Sequence, residues 1–396
     1  MRRSFVLKST IAAALALGPI YWFPSVSFAF MFAARATLLL TLMLLSIWGT
    51  VRFHRRLILI SVLLFSAAVL SSAIHMDLFF LSISPAVVIL LIGSQLASRI
   101  NLKDFLSAIF ISLLVFSIFC CVVLFDFISG GVIADPFYNN YTVHLYSSGF
   151  NGGRTAWGYA SNLFLALALQ DGLSRSGRGR IGSVIRLLLV LVIFANILVT
   201  GARGAFLVSI ALFVVYFFIS NGTRKLSSAV TFGAVAVVVA IYIFSADSAG
   251  DLRLISTVLT TETRDLTSAG LRMDTYAAAF HALSFSPLIG AGSITIDTGL
   301  ELLQVHNVWL RLIAERGILF ALILFFFLWV VWLTSSRAAR RNGCELRLLI
   351  ASGILTGLVE PNAIFGNYFA SVVFWAPIAF FLGSSGFRVR DPDKNG

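Results

Sequence analysis

The sequence predicts an all-α polytopic membrane protein with about twelve transmembrane helices. Of its 396 residues, 59% are hydrophobic and only 12% are charged, whereas roughly a quarter of the residues in a soluble domain are charged. Uncharged runs long enough to cross a bilayer recur along the whole chain. We therefore expect a single integral membrane domain over residues 1–396, with no large soluble domain.

Hydropathy windows of about 19 residues locate the candidate spans in chain order. The N-terminal stretch MRRSFVLKSTIAAALALGP resembles a signal peptide, but we interpret it as an uncleaved first span because many consistently oriented spans follow. The predicted spans lie near residues 9–24, 27–49, 57–74, 78–97, 105–125, 157–170, 187–200, 204–220, 227–245, 317–334, 348–364 and 368–384.

The basic residues orient these spans. If both termini are cytoplasmic, every cytoplasmic connection is basic, as the positive-inside rule requires. This distribution accounts for the net charge of +12, so no nucleic-acid partner is implied. Two outer loops are long, at about 129–156 and 246–316. The three cysteines have neither disulfide nor metal-ligand spacing, and we predict no metal or cofactor.

The segment VTGARGAFL, residues 199–207, joins two spans on the outer side. Gly201 and Gly204 favour a tight turn between antiparallel helices. The turn would hold Arg203 at the membrane face, where a guanidinium suits bidentate phosphate binding. The alternative is an interfacial arginine that extends to water.

A helix with a glycine-rich end is predicted within residues 265–293. Arg272 and Tyr276 share one face at helical spacing. Beyond the helix, Gly290 and Gly292 allow an irregular backbone whose amides can approach an anion. The alternative is an amphipathic surface helix in which Arg272 pairs with a nearby acid.

The stretch LLQVHNVWLRLIAERG, residues 302–317, approaches the tenth span. A helix is expected to begin near Val305, with His306 and Asn307 in its electropositive first turn. A histidine can titrate near neutral pH, so His306 could accept a proton from an attacking hydroxyl. The alternative is a histidine at a hydrated helix start.

Arg311 and Arg316 follow in the same stretch. We expect them at the outer edge of a span that starts at about Gly317. Pairing with Glu315 or lipid phosphate is the favoured interpretation, although Arg311 is also a candidate contact for an anionic substrate.

The predicted topology brings Arg203, Arg272 and His306 to one side of the membrane. Two arginines and one base are what a pyrophosphate leaving group and a hydroxyl nucleophile require. No outer Asp-x-Asp pair suggests a metal site.

Three segments carry a family resemblance: TGARGAFL (200–207), LRMDTYAAAFHALSFSPLIGAGS (271–293) and HNVWLRLIAERGILFAL (306–322). Together they resemble the O-antigen ligase and polymerase superfamily of bacterial envelope glycosyltransferases, over an O-antigen ligase-like region at 187–335. The resemblance implies a GT-C-like fold in the bacterial inner membrane, with the active site facing the periplasm and a helical periplasmic loop before the tenth span.

The resemblance also implies a reaction. An undecaprenyl-pyrophosphate-linked glycan would be transferred, with inversion and without a metal, to a sugar hydroxyl of lipid A-core. The alternative acceptor is another lipid-linked repeat unit, as in a polymerase of O-antigen or exopolysaccharide. A lipid-linked sugar transporter or flippase is a more distant alternative, because the polar groups gather at one face and not at mid-membrane.

Residue roles follow from the resemblance as well. Arg203 and Arg272 would bind the pyrophosphate, and His306 would activate or orient the acceptor. Family members often have an Asn before the sixth span, where this chain has Trp157, and Arg154 would supply a different contact.

Overall fold

The computed structural model supports the membrane class and describes most of the helical chain. The described residues are 2–17, 33, 36–37, 40–41, 44, 55–77, 80–97, 99–128, 154–170, 179–200, 202–219, 231, 233–235, 265–292, 294–297, 302–342, 346–359 and 370–384.

Helices dominate these residues, and one two-stranded sheet accompanies them. The elements are α1 (Arg2–Leu17), α2 (Arg55–His75), α3 (Phe80–Ala97), α4 (Leu102–Ile128), α5 (Arg154–Ala168), α6 (Gly179–Val199), α7 (Arg203–Ile219), α8 (Asp265–Phe285), β1 (Thr295–Asp297), β2 (Leu302–Gln304), α9 (Val308–Asn342), α10 (Leu346–Gly357) and α11 (Ala370–Ser384).

The protein is a polytopic helical membrane protein. Four of the described helices contain apolar segments long enough to cross a bilayer: Ile58–His75, Leu102–Asp126, Gly182–Val199 and Val308–Leu333. Shorter apolar helices accompany them. Most of the predicted spans 27–49 and 227–245 lies outside the described residues, so the count of about twelve stays a prediction.

The small antiparallel sheet was not predicted from the sequence. Strands β1 and β2 pair within the loop before α9, with Ile296 opposite Leu303. Strands of three residues are too short to produce a recognisable alternating pattern. The loop is therefore helical in α8 and extended where it approaches α9.

Helix α5 lies at the centre of the bundle. Every side chain from Trp157 to Ala168 is buried, and α5 packs against α4, α6, α7, α10 and α11. Two of its polar side chains donate hydrogen bonds to neighbouring helices. The indole Nε1 of Trp157 donates to Asn196 Oδ1 of α6 at 3.1 Å, and Asn162 Nδ2 donates to the carbonyl of Ala205 in α7 at 2.8 Å. The first bond holds α6 against α5, and the second holds the start of α7 against α5.

Arg186 belongs to the predicted cytoplasmic connection before the span at 187–200, but the structure places it in a helix. Because α6 begins at Gly179, Arg186 is inside the helix and only 7% exposed. Its Nη1 lies 3.5 Å from the carbonyl oxygen of Leu169 and 3.4 Å from Tyr216 Oη. A cation is favourable at a helix C-terminus, so Arg186 stabilises the end of α5.

Candidate functional site

The start of α7, the end of α10 and the start of α9 meet at one end of the bundle. Gly204, the second residue of α7, faces Tyr159 Oη and the side chain of Val359 after α10. Gly357, the last residue of α10, is equally close to Val308 and Trp309 of α9. The turn at residues 357–359 therefore lies between the starts of two helices. One is α7, which begins at Arg203, and the other is α9, which begins directly after Asn307.

Gly204 has a different role from the one predicted. It lies in a helix without a positive φ, so it is needed for close packing and not for a turn. A Cβ at this position would overlap Tyr159 Oη. The other predicted turn residue, Gly201, lies outside the described residues.

Asn307 is the N-cap of α9. Its Oδ1 accepts hydrogen bonds from the amides of Trp309 and Leu310, both at 3.0 Å, which satisfies two donors that the first helical turn leaves unpaired. The helix accordingly begins at Val308, slightly later than predicted. Because Oδ1 already accepts these two hydrogen bonds, a substrate contact from Asn307 would come from Nδ2.

His306 directly precedes this cap and is half-buried. The residues on both sides of it are fixed: Val305 is 1% exposed, and the indole of Trp309 donates to the carbonyl of Ile354 at 2.9 Å. The backbone that carries the imidazole is therefore held between β2 and a capped helix.

Helix α9 is broken at Gly317. This residue has φ 85° and ψ 165°, far from helical values. The break coincides with the predicted start of the tenth span, and the outer part of α9, residues 308–316, carries Arg311, Glu315 and Arg316. The segment at residues 286–292, which we call the Pro287 loop, docks at this break.

Four backbone hydrogen bonds join the Pro287 loop to the broken helix. In an uninterrupted helix, the amides of Ile318 and Leu319 would donate to the carbonyls of Ala314 and Glu315. Here the two amides donate to the carbonyls of Pro287 and Leu288, at 2.9 and 3.4 Å, and the two carbonyls accept from the amides of Ala291 and Gly292, at 2.9 and 3.0 Å. The loop therefore replaces the partners that the break removes.

Gly290 and Gly292 have the irregular backbone that the sequence predicts, with φ of 80° and 86°. Their amides, however, donate to the carbonyls of Ser286 and Glu315 at 2.9 and 3.0 Å. The prediction that these amides approach an anion is therefore wrong for this conformation, because protein carbonyls occupy them. A Cβ on Gly290 would overlap the backbone of Glu315, so this glycine permits close docking.

Glu315 anchors the segment that leads to β1. Its carboxylate is 1% exposed, and Oε1 accepts from the amide of Ile294 at 3.0 Å and from Arg311 Nε at 3.1 Å. The favoured interpretation of Arg311 as a partner of Glu315 is confirmed. Since Ile294 directly precedes β1, this carboxylate fixes one end of the hairpin that ends before His306.

A second ion pair ties α9 to the turn after α2. Arg316 Nη1 lies 2.6 Å from Asp77 Oδ2, and the Arg316 side chain is only 3% exposed. His75 Nε2 is 3.2 Å from the carbonyl oxygen of Ile289. The sequence interpretation missed both contributions from this turn, although an acid in a short outer connection, on the same side as Arg316, was a usable signal.

Helix α8 packs on the outer part of α9 through one face. Ala279 is fully buried against Val305 and Ala314, and the half-buried Tyr276 packs on this group. Arg272 lies seven residues before Ala279, so it occupies the same helical face.

Three predicted site arginines are described by their backbone alone. Arg154 begins α5, Arg203 begins α7 and Arg272 lies in α8. Their side chains are outside the described part of the structure. Among the described residues, no three His, Cys, Asp or Glu side chains come together as a metal site.

Comparison with known proteins identifies the region that contains these elements. The family model of the O-antigen ligases matches residues 187–326, roughly a third of the chain. No curated protein matches the chain. The match extends from α6 to the part of α9 after its break and includes Arg203, Arg272 and His306. Residues 187–326 are therefore similar to the O-antigen ligase family, which agrees with the resemblance to the superfamily of O-antigen ligases and polymerases seen in the sequence.

Proposed function

We propose that the protein transfers an undecaprenyl-pyrophosphate-linked glycan to a sugar hydroxyl of lipid A-core at the periplasmic face of the bacterial inner membrane. The observation that carries this proposal is the meeting of α7, α9 and α10 at one end of the bundle, where α7 and the start of α9 belong to the region that matches the O-antigen ligase family. The residues with suitable chemistry belong to the helices and loops that converge there.

The reaction requires one bond to break and one to form. The acceptor hydroxyl attacks the anomeric carbon from the face opposite the pyrophosphate, which inverts that centre. The bond from this carbon to the pyrophosphate oxygen breaks, and undecaprenyl pyrophosphate leaves with the bonding electrons. His306 takes the hydroxyl proton, or orients the hydroxyl for attack. Arg203 and Arg272 compensate the charge on the pyrophosphate.

Further contacts are proposed around these groups. Arg154 at the start of α5 and Tyr276 beside Ala279 would contact the glycan or its pyrophosphate. Asn307 would contribute through Nδ2, because its oxygen caps α9. Arg311 would contribute only in addition to its ion pair with Glu315. The reaction would need no metal or cofactor.

The membrane orientation belongs to the same proposal. With both termini cytoplasmic, the outer end of each predicted span faces the periplasm. The contacts between the turn after α2, the Pro287 loop and α9 support this assignment, because all three were predicted on one side. The lipid-linked donor would reach the site within the bilayer.

A reconstituted assay tests the proposal. Purified protein in lipid vesicles is given the lipid-linked glycan and lipid A-core, and two products are measured: glycosylated lipid A-core and undecaprenyl pyrophosphate. Arg203→Lys, Arg272→Lys and His306→Gln should each lower the rate, by about 100-fold where a transition-state contact is lost. Arg99→Lys, in a predicted cytoplasmic connection, is the matched control. Wild-type rates in all three site variants would refute the proposal.

The same assay separates the alternatives. A polymerase would elongate the lipid-linked glycan when lipid A-core is omitted, and it would still release undecaprenyl pyrophosphate. A flippase would move the donor across the bilayer without releasing it. Only a ligase requires lipid A-core for product formation.

A further inference from the structure

The Pro287 loop presents an apolar surface that the proposed reaction does not use. Leu288 and Ile289 are 59% and 43% exposed, and Phe285, the last residue of α8, is 76% exposed. Pro287 between them is also exposed. Side chains of this kind gathered in one short segment mark a surface that binds another apolar phase.

The segment is fixed at the ends of two membrane-crossing stretches. The carbonyl oxygen of Ile289 lies 3.2 Å from Nε2 of His75, which is the last residue of the apolar stretch Ile58–His75. The carbonyl of Leu288 accepts from the amide of Leu319, two residues after the break at Gly317 where the uncharged part of α9 begins. The loop therefore lies at the level where both stretches reach the edge of the hydrocarbon.

The exposed surface continues into the lipid-facing sides of both helices. In α9, Leu319 and Leu322 are 53% and 58% exposed. In α2, Leu70 and Ile74 are 62% and 45% exposed. Since α2 and α9 carry apolar stretches long enough to cross the bilayer, these side chains face lipid, and the Pro287 loop fills the space between their outer ends.

The backbone of the loop is compatible with lipid contact. Irregular backbone beside hydrocarbon is tolerated only when its polar groups have partners within the protein. The amide of Gly290 donates to the carbonyl of Ser286, and four more bonds pair the amides of Ala291 and Gly292 and the carbonyls of Pro287 and Leu288 with the break in α9. The carbonyl oxygen of Ile289 lies beside His75 Nε2. The same bonds satisfy the amides and carbonyls that the break at Gly317 removes from the helix.

We propose that Phe285, Leu288 and Ile289 are seated in the bilayer, in contact with the acyl chains of the leaflet at the candidate site. The loop then holds α8, and with it Arg272, at a fixed depth beside the membrane surface. This inference does not depend on the proposed transferase activity, because it rests on exposure, position and backbone pairing alone.

Site-directed spin labelling in vesicles of phosphatidylethanolamine and phosphatidylglycerol tests the proposal. The background is full-length protein with Cys121→Ser and Cys344→Ser; Cys120 is buried, and absence of label on this background must be checked. Labels are introduced by Leu288→Cys and Phe285→Cys. Leu322→Cys is the lipid reference, and Lys103→Cys, an exposed position at the start of α4, is the aqueous reference.

Collision with oxygen, which is enriched in lipid, is compared with collision with a water-soluble nickel chelate. Labels at 288 and 285 should match the position 322 pattern, with strong oxygen and weak nickel collision. A pattern like that of position 103 would overturn the proposal by showing that the loop lies in water. Weak collision with both probes would also overturn it, because a protein surface or a second copy of the chain would then cover the loop. The two labelled positions are independent, so loss of folding in one leaves the other as the test.

Discussion

Gly317→Ala should open the joint between the Pro287 loop and α9, by which we mean the four backbone hydrogen bonds that link them. The φ of 85° and ψ of 165° at this position belong to a region that residues with a Cβ avoid, at a cost of about 1–3 kcal/mol. A Cβ would also overlap the carbonyl of Leu288 and lie 2.6 Å from the amide nitrogen of Ile289. Both neighbours are backbone atoms, so relief requires movement of the whole loop.

Movement of the loop breaks two of the four hydrogen bonds first. These are the bonds from the amides of Ile318 and Leu319 to the loop, worth about 1 kcal/mol net each. Together with the strain, the closed joint loses about 3–5 kcal/mol, which corresponds to a hundredfold to a few thousandfold change in its equilibrium.

Hydrogen–deuterium exchange with mass spectrometry measures this change directly. Peptides that contain Ile318 and Leu319 should lose protection in Gly317→Ala, while peptides from α5 should exchange as in the wild type. Gly233→Ala is the control, because a Cβ there meets nothing within 4 Å. Unchanged exchange at 318 and 319 in Gly317→Ala would refute the reasoning, since it would mean that the joint accommodates the extra carbon.

Three further substitutions test single contacts, each by the thermal unfolding of purified protein in detergent. Asn307→Ala should destabilise α9 by about 1 kcal/mol through loss of the cap, whereas Asn307→Asp should retain most of it; equal effects would argue against capping. Asp77→Asn should cost about 1–3 kcal/mol, less than for a fully buried pair, because Asp77 is 22% exposed; a double variant with Arg316→Met should recover part of the loss, and strict additivity would contradict the pair. Trp157→Phe should cost about 1–3 kcal/mol because Asn196 loses its indole donor; an unchanged midpoint would show that the bond is dispensable.

The sequence predicts the parts of this fold that depend on local composition. Apolar runs and basic loops are sufficient to predict a polytopic membrane protein. The charges of Arg311 and Arg316 are sufficient to predict that the tenth span starts only after them, at Gly317. Pairing of Arg311 with Glu315 follows from a spacing of four residues on one helix. These predictions succeed because each depends on neighbouring residues.

The predictions that failed depend on distant parts of the chain. A proline followed by two glycines indicates an irregular turn, but not that its amides pair with a broken helix about 25 residues later. The burial of Arg186 depends on where α5 ends, and the charge pattern of its own loop contains no such information. The contacts of His75 and Asp77 likewise arise only when α2 and α9 are side by side.

The four-bond joint at Gly317 limits how the loop before α9 can be exchanged between proteins. A chimera that imports residues 265–305 from a relative would bring a loop whose backbone amides and carbonyls are placed to pair with a different helix break. The amides and carbonyls of α9 at Gly317 would then lack hydrogen-bond partners at the edge of the membrane. The outer part of α9 should therefore be transferred together with the loop, with the junction placed after Leu319. For specificity engineering in this protein, residues 265–319 should therefore be exchanged together, with His75 and Asp77 kept as the partners of Ile289 and Arg316.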